Sequence, residues 1–132
     1  MAHEFARNIQ DAALSVTKAL PAANASAISD PFRIESGRAM ENVELELVVP
    51  ATPALADTKS ITFELVEGSS SSPTTVKQQL LKTTGASGTG AAAVTARFRV
   101  PSDCLAYIAV KASVEASGGD NTAVSYTARL RG

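Results

Sequence analysis

The sequence is short of the residues on which most site chemistry depends. Among 132 residues there are one histidine, one cysteine and no tryptophan, and aromatics make up 5%. The lone Cys104 excludes an intrachain disulfide and fits a reducing compartment. One histidine and one cysteine are too few to build a zinc site. A Ser-His-Asp or Cys-His arrangement would have to use His3, at the very start of the sequence. Charge of one sign is also missing. Twelve basic residues stand against 13 acidic ones, for a net charge of −1, so there is no basic footprint for nucleic acid. The longest apolar run, residues 105–110, is far too short to span a bilayer. Residues 1–10 carry charge and lack an apolar stretch, so no secretory signal is expected. Hydrophobic residues make up 45%, but 24 of them are alanines. Large core formers are therefore few. A thin core is expected, with part of the stability left to contacts with other subunits.

What is present is strand-like alternation. In residues 43–49, Val43, Leu45, Leu47 and Val49 alternate with Glu44, Glu46 and Val48, which places the two sets on opposite faces. Residues 60–67 repeat the device, with Ile61, Phe63 and Leu65 against Thr62 and Glu64. Residues 94–100 set Val94, Ala96, Phe98 and Val100 against Thr95, Arg97 and Arg99. Residues 122–131 set Val124, Tyr126, Ala128 and Leu130 against Ser125, Thr127, Arg129 and Arg131. The apolar stretch within 105–116 reads as a central strand covered on both sides, or one that touches a partner. Weaker strands are expected at 13–19, 32–34 and 75–81.

The punctuation agrees. All six prolines fall between candidate strands, where a missing N–H matters little. Residues 118–121, Gly-Gly-Asp-Asn, read as a hairpin connection between the last two strands. By composition, 69–73 and 85–90 are flexible loops. Residues 91–93 are too short for a stable helix, and 4–13 are either a helical turn or an extended arm. No internal repeat and no domain boundary emerge. The expectation is one all-β domain spanning 1–132. It is an antiparallel sandwich or jelly roll of about seven to eight strands, with residues 1–24 as an N-terminal arm and first strand.

The site inventory contains no catalytic residue, no cofactor-binding residue and no metal ligand set. Glu44 and Glu46 on one face, with Glu64 expected on a neighbouring strand facing the same way, invite a two-carboxylate mechanism. A solvated outer face that keeps the sheet from sticking is the plainer reading. Gly85, Gly88 and Gly90 form neither a dinucleotide fingerprint nor a P-loop. Arg97, Arg99, Arg129 and Arg131 are expected as a basic stripe on an outer sheet face. By default they pair with the glutamates across strands. Docking on an acidic partner is the next reading, and a nucleic-acid groove would lack its stacking aromatics.

Three stretches together carry a resemblance. The first is Asp11-Ala12-Ala13-Leu14 followed by Leu20-Pro21-Ala22-Ala23-Asn24-Ala25-Ser26. The second is Ile61-Thr62-Phe63-Glu64-Leu65-Val66-Glu67, a Ser-rich loop, then Ser72-Pro73-Thr74-Thr75-Val76. The third runs from Phe98-Arg99-Val100-Pro101 through Leu105-Ala106-Tyr107-Ile108 to a final hairpin ending Tyr126-Thr127-Ala128-Arg129-Leu130. In order and pattern the chain resembles the small jelly-roll cement, or decoration, proteins of tailed-bacteriophage capsids. The resemblance implies a structural virion protein, not an enzyme, with no cofactor. Such a protein is made in the bacterial host cytoplasm and binds the outer surface of the major capsid protein shell. It implies self-association, a homodimer ahead of a homotrimer, and no nucleic-acid or membrane partner. The arm, with Phe5, Ile9 and Leu14 as apolar anchors, would be one contact, because a segment without its own core gains order on a partner. The four arginines would be another. The competing readings are a carbohydrate- or receptor-binding jelly roll with Tyr107 and Tyr126 in a groove, another minor virion protein, and an enzyme of unrecognised kind.

Overall fold

A computed structural model describes residues 15–34, 44–101 and 104–131. The strands are β1 (Ser15–Ala19), β2 (Ala25–Ile28), β3 (Phe32–Arg33), β4 (Glu44–Val49), β5 (Ser60–Gly68), β6 (Thr75–Thr84), β7 (Val94–Arg99), β8 (Tyr107–Val114) and β9 (Ser125–Arg131). They form two antiparallel sheets. One has the order β1-β9-β4-β7; the other has the order β2-β8-β5-β6, with β3 also paired to β8. The pairing is nested: β1 meets β9, β2 meets β8, β4 meets β7 and β5 meets β6. A chain folded back on itself in this way and rolled into two facing sheets is a jelly roll. Within residues 15–24, Ser15–Ala19 is the expected first strand. β1 is an edge strand of the sheet, and Leu20 is buried behind it.

The alternation seen in the sequence explains the core. Leu45, Leu47 and Val49 of β4 face Ile61, Phe63 and Leu65 of β5 and Ile108, Val110 and Val114 of β8 in one connected cluster. Among the described residues, Ala91, Ala112 and Ala128 are the alanines of this cluster, and larger side chains make up the rest of it. Tyr126 of β9 meets Phe63 edge to face, with ring centroids 5.4 Å apart. Its hydroxyl reaches the opposite sheet, 2.9 Å from the Val110 carbonyl and 3.1 Å from that of Ala27. The middle of β8 is buried on both sides. Val110 faces inward, while Ala109 lies beside an equally buried Val66 on the other face.

Two expectations need correction. Residues 118–121 do not close a hairpin, because β8 and β9 belong to different sheets and the link between them crosses the end of the sandwich. β9 finds its partners in β1 and β4, and proximity in sequence gave no sign of either. Residues 85–90 are not a loose loop. Thr58 N–H donates to the Gly85 carbonyl, Gly85 N–H to that of Lys59, and Gly88 N–H to Asp57 Oδ1 at 2.8 Å. Residues 91–93, too short for a helix, carry none, and Ala91 bridges to Thr52.

Strand β2 had no signal in the sequence. Its Ala-Ser-Ala-Ile has one β-branched residue, and the β8 ladder supplies what propensity does not. Asn24, which precedes it, holds φ at +63°, a conformation that asparagine tolerates better than most residues.

Candidate functional site

The outer face of the β1-β9-β4-β7 sheet carries the densest pattern of charge that the sequence singled out. Strand β4 turns Glu44, Glu46 and Val48 outward, because Leu45, Leu47 and Val49 are committed to the core. On one side β7 places Arg99, Arg97 and Thr95 opposite these three. On the other side β9 places Arg131, Arg129 and Thr127 opposite Glu44, Glu46 and Val48. The face is therefore a set of cross-strand rows: Arg-Glu-Arg, Arg-Glu-Arg, then Thr-Val-Thr.

The middle row is an ion triad. Arg97 Nε lies 3.5 Å from Glu46 Oε2, and Arg129 Nε lies 3.5 Å from Glu46 Oε1. The Glu46 side chain is only 9% exposed, against 57% for Arg97 and 41% for Arg129. A shielded carboxylate thus lies between two arginines that remain open to solvent. The Arg129 Nε proton is not aligned for a hydrogen bond, so that contact is electrostatic. In the hydroxyl row, Thr127 and Thr17 of β1 share a 3.0 Å bond.

The structure brings Arg97, Arg99, Arg129 and Arg131 onto one sheet, as expected, and their cross-strand partners are Glu44 and Glu46. Glu64 is not among them. It lies on β5 of the other sheet, opposite Lys111, so the three-carboxylate cluster does not exist. Phe5, Ile9 and Leu14 lie outside the described residues, as does His3. The chain enters the sheet at Ser15, whose backbone partner is Arg129, so whatever precedes Ser15 is attached beside the arginine rows. Tyr107 is half-buried with the Arg33 guanidinium 6.0 Å from its ring, whereas Tyr126 is fully buried. The two tyrosines therefore do not line a common groove. Among the described residues there is no group of three or more His, Cys, Asp or Glu side chains able to hold a metal.

Two titrations are displaced. Burial pushes the Tyr126 phenol up. The Thr122 hydroxyl and backbone N–H, both donating to Asp120 Oδ1, hold that exposed carboxyl below its usual 3.8.

One signal in the sequence was missed. The pentapeptides Thr95-Ala96-Arg97-Phe98-Arg99 and Thr127-Ala128-Arg129-Leu130-Arg131 differ at one position. They are the two strands that flank β4, in the same register against it: Leu47 faces Ala96 and Ala128, and Leu45 faces Phe98 and Leu130. The repeat is only five residues long, too short to count as a structural repeat, yet it generates the symmetry of the face.

A scan against protein-family models finds no match to the chain. A search of curated proteins finds none either.

Proposed function

We propose that this chain is a structural binding protein of the capsid cement type, seated on the outer surface of a tailed-bacteriophage shell and bracing it. The observation that carries the reading is the order of segments that resembles those proteins, laid on a two-sheet sandwich whose β1 edge, beginning at Ser15, lies beside a patterned arginine–glutamate face. On this reading the major capsid protein is the partner, and the chain self-associates, as a dimer before a trimer, at a symmetry axis of the shell. It acts without catalysis or cofactor, outside any membrane and without nucleic acid. Its strength is avidity: each copy adds a modest interface, and many copies share one lattice.

The test is sedimentation of the native protein from its source lysate, with copy number determined by quantitative gel. Travel with large particles, near-stoichiometric to one major shell protein, is the expected result. A handful of copies per particle would indicate a minor virion part, and a protein that remains in the soluble fraction sinks the proposal. A second measurement addresses the arm. Deletion of residues 1–9 is expected to leave a folded sandwich, because β1 begins only at Ser15, while shell occupancy is lost. Full occupancy by the truncated protein would remove the arm from the interface.

A further inference from the structure

We infer that the outer face of the β1-β9-β4-β7 sheet docks an acidic protein surface, one presenting two carboxylates about 7 Å apart. The inference rests on the shell-binding reading and specifies the chemistry of the partner patch.

The charge count comes first. By strand register, four arginine positions lie opposite the two glutamates of β4, an excess of two positive charges on a chain whose net charge is −1. Each Arg-Glu-Arg row is one positive charge in excess, so one partner carboxylate per row completes it. Adjacent rows lie two residues apart along the strands, about 7 Å, and the flanking arginines stand about 10 Å apart across β4. The array therefore asks for paired carboxylates in line with β4, one above each row.

The geometry of the middle row comes second. Glu46 is almost wholly shielded between Arg97 and Arg129, and both arginines remain substantially exposed. A buried ion pair is weak evidence for stability, because desolvation offsets much of its attraction. Its effect here is to hold two long, flexible side chains against the sheet at a set separation. Arginines held in this way lose less freedom when a partner arrives, and their planar forks suit carboxylates. Glu46 is thus a positioning residue. The duplicated pentapeptide places the same Thr-x-Arg-x-Arg series on both sides of it.

Nucleic acid fits this face poorly. The positions of the four strands in register with this face hold Ala, Ser, Thr, Val, Arg and Glu, with no aromatic ring on which a base would stack. The two glutamates run down the midline, where a phosphate chain would have to lie.

The test compares binding of the full-length chain and two variants to purified shells. One variant is the neutral triple Arg97→Gln, Glu46→Gln, Arg129→Gln, which leaves no buried charge unpaired. The other is the exposed single change Arg99→Gln. Lys111→Gln, on the opposite sheet, is the control, and circular dichroism verifies folding. Wild-type affinity should fall steeply between about 0.1 M and about 1 M salt. The triple variant should bind about tenfold more weakly or worse, with a flatter salt dependence. Arg99→Gln should be intermediate and Lys111→Gln unchanged. If wild type and triple variant bind shells with the same affinity and salt slope, the inference is overturned while the shell reading stands. If the wild type binds no shell, the shell reading falls, and retention on immobilised poly-glutamate at low salt decides the face separately. Retention lost in the triple variant supports it. No retention of the wild type, or stronger retention on duplex DNA, overturns it.

Discussion

Two glycines in one tight loop show how differently the same residue type is constrained. Gly88 and Gly90 both hold φ at +72°. A Cβ at Gly88 would meet nothing within 4 Å, whereas one at Gly90 would stand 1.9 Å from the Thr52 carbonyl oxygen and 2.7 Å from Pro53 Cα. Gly88→Ala is therefore limited to the backbone penalty, about 1 kcal/mol. Gly90→Ala adds a clash with backbone that is itself tied by the Thr52–Ala91 bridge, and a loss above about 2 kcal/mol is expected. Urea denaturation of the two variants measures the difference; equal losses would show that the loop yields at Gly90. From the sequence the two were indistinguishable, because Gly-rich composition reveals conformational freedom but not the carbonyl waiting opposite one position. The same holds for Glu46. Alternation placed it outward, but its shielding depends on Arg97 and Arg129, which arrive from strands far away in sequence.

At the scale of strands, the period of two did most of the predicting. β4, β5, β7, β8 and β9 were legible because each alternates or is solidly apolar, and prolines mark the gaps. Pairing was not legible, because two faces read equally well against any neighbour. The equivalence of β7 and β9 about β4 is testable through the single position at which their pentapeptides differ. Phe98 is half-buried on the edge strand, and Leu130 is 4% exposed beside β4. Phe98→Leu should cost less than about 1.5 kcal/mol, as a tolerated hydrophobic exchange, while Leu130→Phe should cost about 1–3 kcal/mol by overpacking. Thermal melts of both variants decide, and a reversed order would mean that the two strands are not equivalent in register. The free edges differ as well. β6 slips register twice against β5, after Phe63 and after Leu65, and such bulges discourage edge-to-edge pairing. β7 has a regular ladder against β4 and instead carries two arginines, a charge-based guard of the same kind.

For the whole molecule, the decisive contact is the one that ties the sheets together. Tyr126 belongs to one sheet and hydrogen-bonds carbonyls of the other, so its hydroxyl holds the sandwich closed near Ala27 and Val110. Tyr126→Phe should reduce stability by about 1–2 kcal/mol, the contribution of a buried hydrogen bond and an under-satisfied carbonyl. An unchanged denaturation midpoint would assign the closure to packing alone. Because the folded-state phenol titrates above its ordinary 10.0, its contribution is complete below that pH and is lost as the pH rises beyond it. Tyr126 phenolate absorbance is accordingly expected to appear together with unfolding at alkaline pH, and not before it. The all-β sandwich class was readable from strand number and spacing, whereas the nesting of the pairs was not, since it joins residues more than a hundred positions apart.

That nesting also sets an order of events during synthesis. β9 leaves the ribosome after the other described strands, yet it lies between β1 and β4 and supplies Arg129 and Arg131. Until it emerges, β1 has no partner in its sheet, β4 has a bare flank and the arginine rows have one side only. A chain stopped before residue 125 would expose unsatisfied ladder groups in place of the completed arginine–glutamate face, an invitation to quality-control proteases. The final strand thus acts as an inspection stamp: only a molecule whose translation has run through β9 has a complete β1-β9-β4-β7 face.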